Sequence, residues 1–189
     1  MRSIKVISAA AALAVALSVG CSQQRANNPS VKDNVKDSLK QAGFDKVSVD
    51  EDRTKGVVTL KGEVATQEDK AKAEQTAQVA AGNEIIANEI LVTEGDKGQA
   101  SKVSGDVDKA IEARVKQYID TEKLNKQHIN YTAKNGVLTL TGDVDSTDTR
   151  AKMESTFATI DGVTQVVDKL NVKNANRKSQ SAHKDVSGR

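Results

Sequence analysis

Few side chains of this 189-residue chain are of a type that does covalent or acid–base chemistry: two histidines, one cysteine, and two acids that recur beside glycine. A hydrolase triad needs a histidine within reach of a nucleophile and an orienting carboxylate. The candidates are His128, which reads as a solvent-exposed residue on a predicted strand beside Ile129, and His183, in a polar tail. Glu63 and Asp143 each follow a glycine at a predicted strand end and point to solvent with no partner acid, which removes paired-carboxylate catalysis. Gly62 and Gly142 would suit a phosphate cradle only if a Gly-rich loop opened a helix carrying a lysine. Neither does, so each is read as allowing a strand bend or a close approach of the following helix. A single cysteine makes no intramolecular disulfide, and with two histidines it makes no ordinary zinc site. No enzyme, cofactor or metal is expected. A net charge of +2 with 2% aromatic residues also argues against nucleic acid as a partner, since neither a basic stripe nor stacking platforms are present.

Cys21 points to a different chemistry. Arg2 and Lys5 precede an uncharged run from Val6 to Leu17 that is shorter than the ~20 residues needed to span a bilayer, the pattern of a signal peptide over residues 1–20. The segment Leu17-Ser18-Val19-Gly20-Cys21 resembles the lipobox of bacterial lipoproteins. That resemblance implies that Cys21 is diacylated and becomes the mature N-terminus. Acyl chains contribute ~0.8 kcal/mol per buried methylene, so they anchor a protein that does not span. Ser22 after the cysteine, where Asp would retain a lipoprotein at the inner membrane, implies the outer membrane, periplasmic face. Residues 21–29 read as a polar tether, and residues 174–189 as a disordered basic tail.

Between these ends the chain repeats itself. Gly56-Val57-Val58-Thr59-Leu60-Lys61-Gly62-Glu63-Val64 recurs as Gly136-Val137-Leu138-Thr139-Leu140-Thr141-Gly142-Asp143-Val144, and the register holds without a gap on both sides. Val35 meets Val115, Phe44 meets Leu124, Ala71-Lys72 meets Ala151-Lys152, and Gly82 meets Gly162. Two small domains are predicted, residues 30–94 and 106–173, joined by a linker over residues 95–105 whose three glycines and two serines suit a tether or an interface loop.

Each unit changes period in the same order. Val31, Val35 and Leu39, like Ile111, Val115 and Ile119, recur every four residues, an amphipathic helix. Two alternating strands follow, turning at Arg53 to Gly56 or at Lys134-Asn135-Gly136, a strong hairpin signal. Thr66, and Ser146 or Thr147, are placed to cap a second helix that is predicted to close at Gly82 and Gly162. A last strand runs over Ile86–Val92 and Val166–Val172. This order, together with the duplicated glycine-flanked core, resembles the BON domain, the bacterial OsmY and nodulation module, and in particular the two-BON periplasmic lipoproteins. The resemblance implies an α+β fold of two tandem small sandwiches, each helix-strand-strand-helix-strand with two helices on one face of a three-stranded mixed sheet. It further implies binding of phospholipid membranes and support of the envelope under stress. A rival implied by the same family is a chaperone-like module acting on envelope proteins.

The two copies differ in bulk. Where the second helix of the C-terminal unit has Met153, Phe157 and Ile160, the N-terminal unit has Ala73, Ala77 and Ala80, so the N-terminal unit is expected to be the less stable or to lean on its neighbour. The opening helix of the second unit, read as Asp108 to Lys126, offers the candidate surface for anionic phospholipid: Lys109, Arg114, Lys116, Tyr118 and Lys123, with Arg177, Lys178 and Lys184 of the tail. Tyr118 aligns with Ser38 and so reads as a residue the core does not demand, free to sit at a lipid interface.

Overall fold

The computed structural model describes residues 30–173, so the leader, Cys21, the tether and the tail with its cations and His183 lie outside the described residues. The first unit runs α1 (Lys32–Gln41), β1 (Ser48–Asp52), β2 (Val57–Val64), α2 (Gln67–Ala81) and β3 (Ile85–Val92). The second runs α3 (Lys97–Thr121), a short 3-10 turn (Leu124–Lys126), β4 (Ile129–Lys134), β5 (Val137–Val144), α4 (Thr147–Phe157) and β6 (Gln165–Val172). In each unit the middle strand pairs antiparallel with the first and parallel with the last, giving two three-stranded mixed sheets, β1-β2-β3 and β4-β5-β6. The α+β fold of two tandem repeats is therefore present.

Alternation along the strands sorts the side chains. Val58 and Leu60 of β2, with Ile86 and Ile90 of β3, face Val35 and Leu39 of α1 and Ala73, Ala77 and Ala81 of α2. Leu138, Leu140 and Leu170 likewise face Ile111, Val115 and Ile119 of α3 and Met153 and Phe157 of α4. The helices of the first unit pack directly on one another across small alanines, whereas Phe157 and Tyr118 hold α3 and α4 apart.

The opposite sheet faces meet. Val57 and Ala87 of the first unit and their equivalents Val137 and Val167 of the second form one buried cluster between the units. Polar bonds surround it. The Gln165 side chain donates to the Ile86 carbonyl (2.7 Å) and accepts from the Asn88 amide (3.3 Å), occupying the free edge of β3 as a neighbouring strand would. Lys169 Nζ lies 3.2 Å from Asp52 Oδ2, and Asn135 Nδ2 donates to the Glu89 carbonyl at 2.7 Å. Both last strands also blunt their own edges, since Asn88 and Asp168 at equivalent positions accept from the amides of Ile90 and Leu170.

Three features differ from the sequence reading, the connector and the ends of two helices. The connector over residues 95–105 is helical from Lys97, not a tether or a loop. Asp96 Oδ1 accepts from the amides of Gly98 (2.7 Å) and Gln99 (3.3 Å), and this cap starts a 25-residue helix despite Gly98 and Gly105, each a cost of about 1 kcal/mol against alanine. Farther along, buried Asp108 accepts from the amides of Asn135 (2.9 Å) and Gly136 (3.0 Å), fastening α3 to the hairpin turn. The second difference is the end of α4, which stops at Phe157 and not at Gly162, whereas α2 does close on Gly82 at φ 66°. The opening helix of the second unit likewise ends at Thr121, and Lys123 beyond it takes a left-handed conformation.

Candidate functional site

The predicted helix-capping residues act as expected in α2 and α4: Thr66 accepts from the Asp69 amide and Ser146 from the Thr149 amide, each at 3.1 Å. The duplicated Gly62 and Gly142 lie against backbone and not against the helix that follows them. A Cβ on Gly142 would stand 1.7 Å from the His128 carbonyl oxygen, and one on Gly62 2.5 Å from that of Lys46, so each glycine admits the loop that precedes the first strand. Glu63 pairs with Lys97 at 2.8 Å and Asp143 accepts from Asn171 at 3.2 Å, so the two recurring acids serve separate local bonds. Among the described residues no group of His, Cys, Asp and Glu is placed to hold a metal, and no helix is long and apolar enough to cross a membrane.

The candidates on α3 divide into two flanks. Lys109 and Lys116, seven residues apart, lie on the side of β4, where Tyr131 lies near Lys116, and Lys123 follows beyond the helix end. Lys109 stands 3.8 Å from Asp106, and Lys116 2.7 Å from Asp120. That hydrogen bond raises the Lys116 ammonium above its ordinary value and lowers the Asp120 carboxyl below its own. These cations are largely balanced on their own helix, and the pairs are exposed, so they are weak. Lys123 has no ion pair among the described residues.

The other flank faces α4. Here Arg114 and Tyr118 share a furrow of about 260 Å³ with Gln117, Thr121, Thr156, Phe157 and Ile160. Tyr118 is half-buried and packs edge-on against Phe157, with ring centroids 5.0 Å apart and planes at 78°. The core therefore does use Tyr118, contrary to the reading from its alignment with Ser38: the ring fills the gap that a bulky Phe157 opens between two helices. Arg114 reaches Asp161 at 3.2 Å on the rim and remains exposed. Phe157 and Ile160 read as core in the sequence, and the furrow they line was legible only as a pair of enlargements. Tyr118 replaces Ser38 on one helix, while Phe157 replaces Ala77 on the helix it faces.

Comparison with known proteins agrees with the duplicated architecture. The BON domain family matches twice, at residues 27–94 and 107–174. The osmotically-inducible protein Y of Escherichia coli (strain K12) is 31% identical over 120 residues, covering 62% of this chain and 58% of that protein, so the match spans less than two thirds of the relative. Two structures of CdsD, a structural protein of the type III secretion system of Chlamydia trachomatis, are more distant. One, of its C-terminal domain, has 16% identity and a TM-score of 0.29, covering 71% of this chain and 60% of that one. The other has 12% identity and a TM-score of 0.30, covering 82% and 98%. With the family matched over both repeats, and with both repeats folded as the same helix-and-sheet unit, the chain belongs to the BON domain family.

Proposed function

We propose that this is a periplasmic envelope protein that docks on anionic phospholipid through the furrow between α3 and α4, is held at the outer membrane by acylation of Cys21, and supports the envelope under osmotic stress. The observation that carries the reading is the furrow, an apolar trough with Tyr118 and Phe157 in its wall and Arg114 on its rim. The equivalent positions of the first unit are Asn34, Ser38 and Ala77, which supply neither cation nor aromatic ring. An aromatic ring beside an arginine suits the boundary of a bilayer, where the ring enters the acyl region and the guanidinium meets phosphate.

The energies favour two signals acting together. A cation near an anionic leaflet contributes ~1 kcal/mol, so Arg114 at the rim of the furrow gives a weak, reversible contact. An acyl anchor supplies the residence time that the furrow lacks and raises its effective concentration at the membrane. The link to osmotic stress is supported by the similarity to the osmotically-inducible protein Y of Escherichia coli.

Because the chain contains no tryptophan, Tyr118→Trp places a single fluorophore in the furrow. Its emission is expected to shift to the blue on adding phosphatidylglycerol vesicles and to stay unchanged with phosphatidylcholine, while Ser38→Trp in the first unit responds to neither. A silent Trp at position 118, with envelope proteins retained by the same chain in a pull-down, would favour the chaperone-like rival.

A further inference from the structure

The helical connector builds a second concavity, on the other face of the second sheet from the furrow. Beyond the small apolar cluster that joins the units, the two sheet faces diverge into a cleft of about 880 Å³, within the range of small-ligand sites at about 300–1,000 Å³. Ser101 and Gly105 of α3 form one wall. The floor is polar on both sides: Thr59 of β2 and its repeat equivalent Thr139 of β5, with Thr132 of β4. Four lysines surround it, Lys46, Lys61, Lys134 and Lys169, against two acids, Glu63 and Glu89.

These groups are unequally occupied. Lys61 pairs with Asp50 at 2.8 Å, Lys169 with Asp52 at 3.2 Å, and Glu63 with Lys97 at 2.8 Å. Among the described residues, Lys46 and Lys134 have no carboxylate within ion-pair distance, and no hydrogen bond is made by the hydroxyls of Thr59, Thr132 and Thr139. Glu89 lies half-buried among Lys61 of β2, Lys134 of β4 and Lys169 of β6, with Asp50 of β1 opposing them and Glu63 in the same cleft, and burial still pushes its carboxyl above the ordinary value. Cations and hydroxyls from both units thus line one cleft.

We propose that the cleft between the two sheets binds a soluble anion bearing more than one phosphate or carboxylate group, held by Lys46, Lys61, Lys134 and Lys169 and by the hydroxyls of Thr59, Thr132 and Thr139. Both units contribute, so the site exists only while they are docked. Phosphate and carboxylate oxygens accept from ammonium groups and hydroxyls alike. The cleft lies between sheets, away from the helical face that carries the furrow, which favours a free anion over a lipid headgroup.

Calorimetric titration of the full chain with inorganic pyrophosphate and with citrate at low salt tests this. The Lys46→Ala, Lys134→Ala double variant is expected to bind about tenfold more weakly, the loss of charge-assisted hydrogen bonds. Glu89→Gln is expected to bind more tightly, because it removes a negative charge from among the lysines of the cleft, and a gain of affinity cannot come from misfolding. Arg114→Glu, in the furrow, should leave the titration unchanged. No heat of binding with either anion, equal affinity in the double lysine variant, or weaker binding by Glu89→Gln would overturn the proposal. Displacement of pyrophosphate by phosphatidylglycerol vesicles would overturn the assignment to a soluble anion.

Discussion

At Gly142 the fold has no room for a side chain: φ is 106° and the first carbon would meet the His128 carbonyl. Gly142→Ala is therefore expected to lower stability by at least about 2 kcal/mol, read in a urea melt, through overlap and a backbone conformation that L-residues avoid. A loss below 1 kcal/mol, on the order of a tolerated surface change, would show that the loop yields. Glu89 makes a prediction of opposite sign. Burial, only partly offset by Lys61, Lys134 and Lys169, raises its folded carboxyl above the unfolded value, so its ionised form costs stability and that cost grows as pH rises through the folded value. Glu89→Gln should raise the urea midpoint at pH 7, with the gain gone below about pH 4, where the carboxyl is protonated in both states. At this scale the sequence was legible wherever a residue acts on its own backbone, as with Thr66, Ser146 and the Asn135-Gly136 turn. Tyr118 was misread because its neighbour Phe157 is distant in the chain, and alignment with Ser38 carries no information about what faces it.

Among the elements, α2 and α4 show how one architecture accepts two volumes. Alanines at 73, 77 and 81 let α1 approach α2, while Met153 and Phe157 fill a wider space beneath α3. Phe157→Ala should cost about 3–5 kcal/mol, because its fully buried ring fills the gap between helices and Tyr118 loses its partner. Thermal unfolding is the check, and a shift smaller than that of a single methylene deletion would mean that α4 collapses onto α3 as α2 does onto α1. The succession of elements and the helix faces were readable from period, whereas the mixed three-stranded sheet was an expectation from the family resemblance. The connector was not: its composition of glycine and serine favours a linker, and what overrides it is an Asp96 cap at one end and the Asp108 anchorage at the other, a bond between residues 27 positions apart.

Over the whole molecule, two repeats become one body through matched residues of both sheets, Val57 with Val137 and Ala87 with Val167, and through bonds such as Lys169 to Asp52. Burial raises the Asp52 carboxyl, but the Lys169 ammonium and the Lys55 amide outweigh it and hold the group below its ordinary value. A lowered carboxyl contributes stability above its unfolded value and loses it as pH falls through the folded one, so docking should weaken below about pH 4. Hydrogen exchange at the β3 edge would report this, and Lys169→Met should remove the dependence. Repeat length and register announced two units, yet nothing in either copy marked which face meets the other, since Val57 and Val137 read as ordinary members of alternating strands. The membrane reading is the central claim at this scale, and co-sedimentation of the unacylated Cys21→Ser chain with vesicles tests it most directly. Retention on phosphatidylglycerol vesicles that falls with salt, is absent on phosphatidylcholine, and drops on Arg114→Glu is the predicted result. Retention that is the same on both lipids, or that Arg114→Glu leaves untouched, would contradict it.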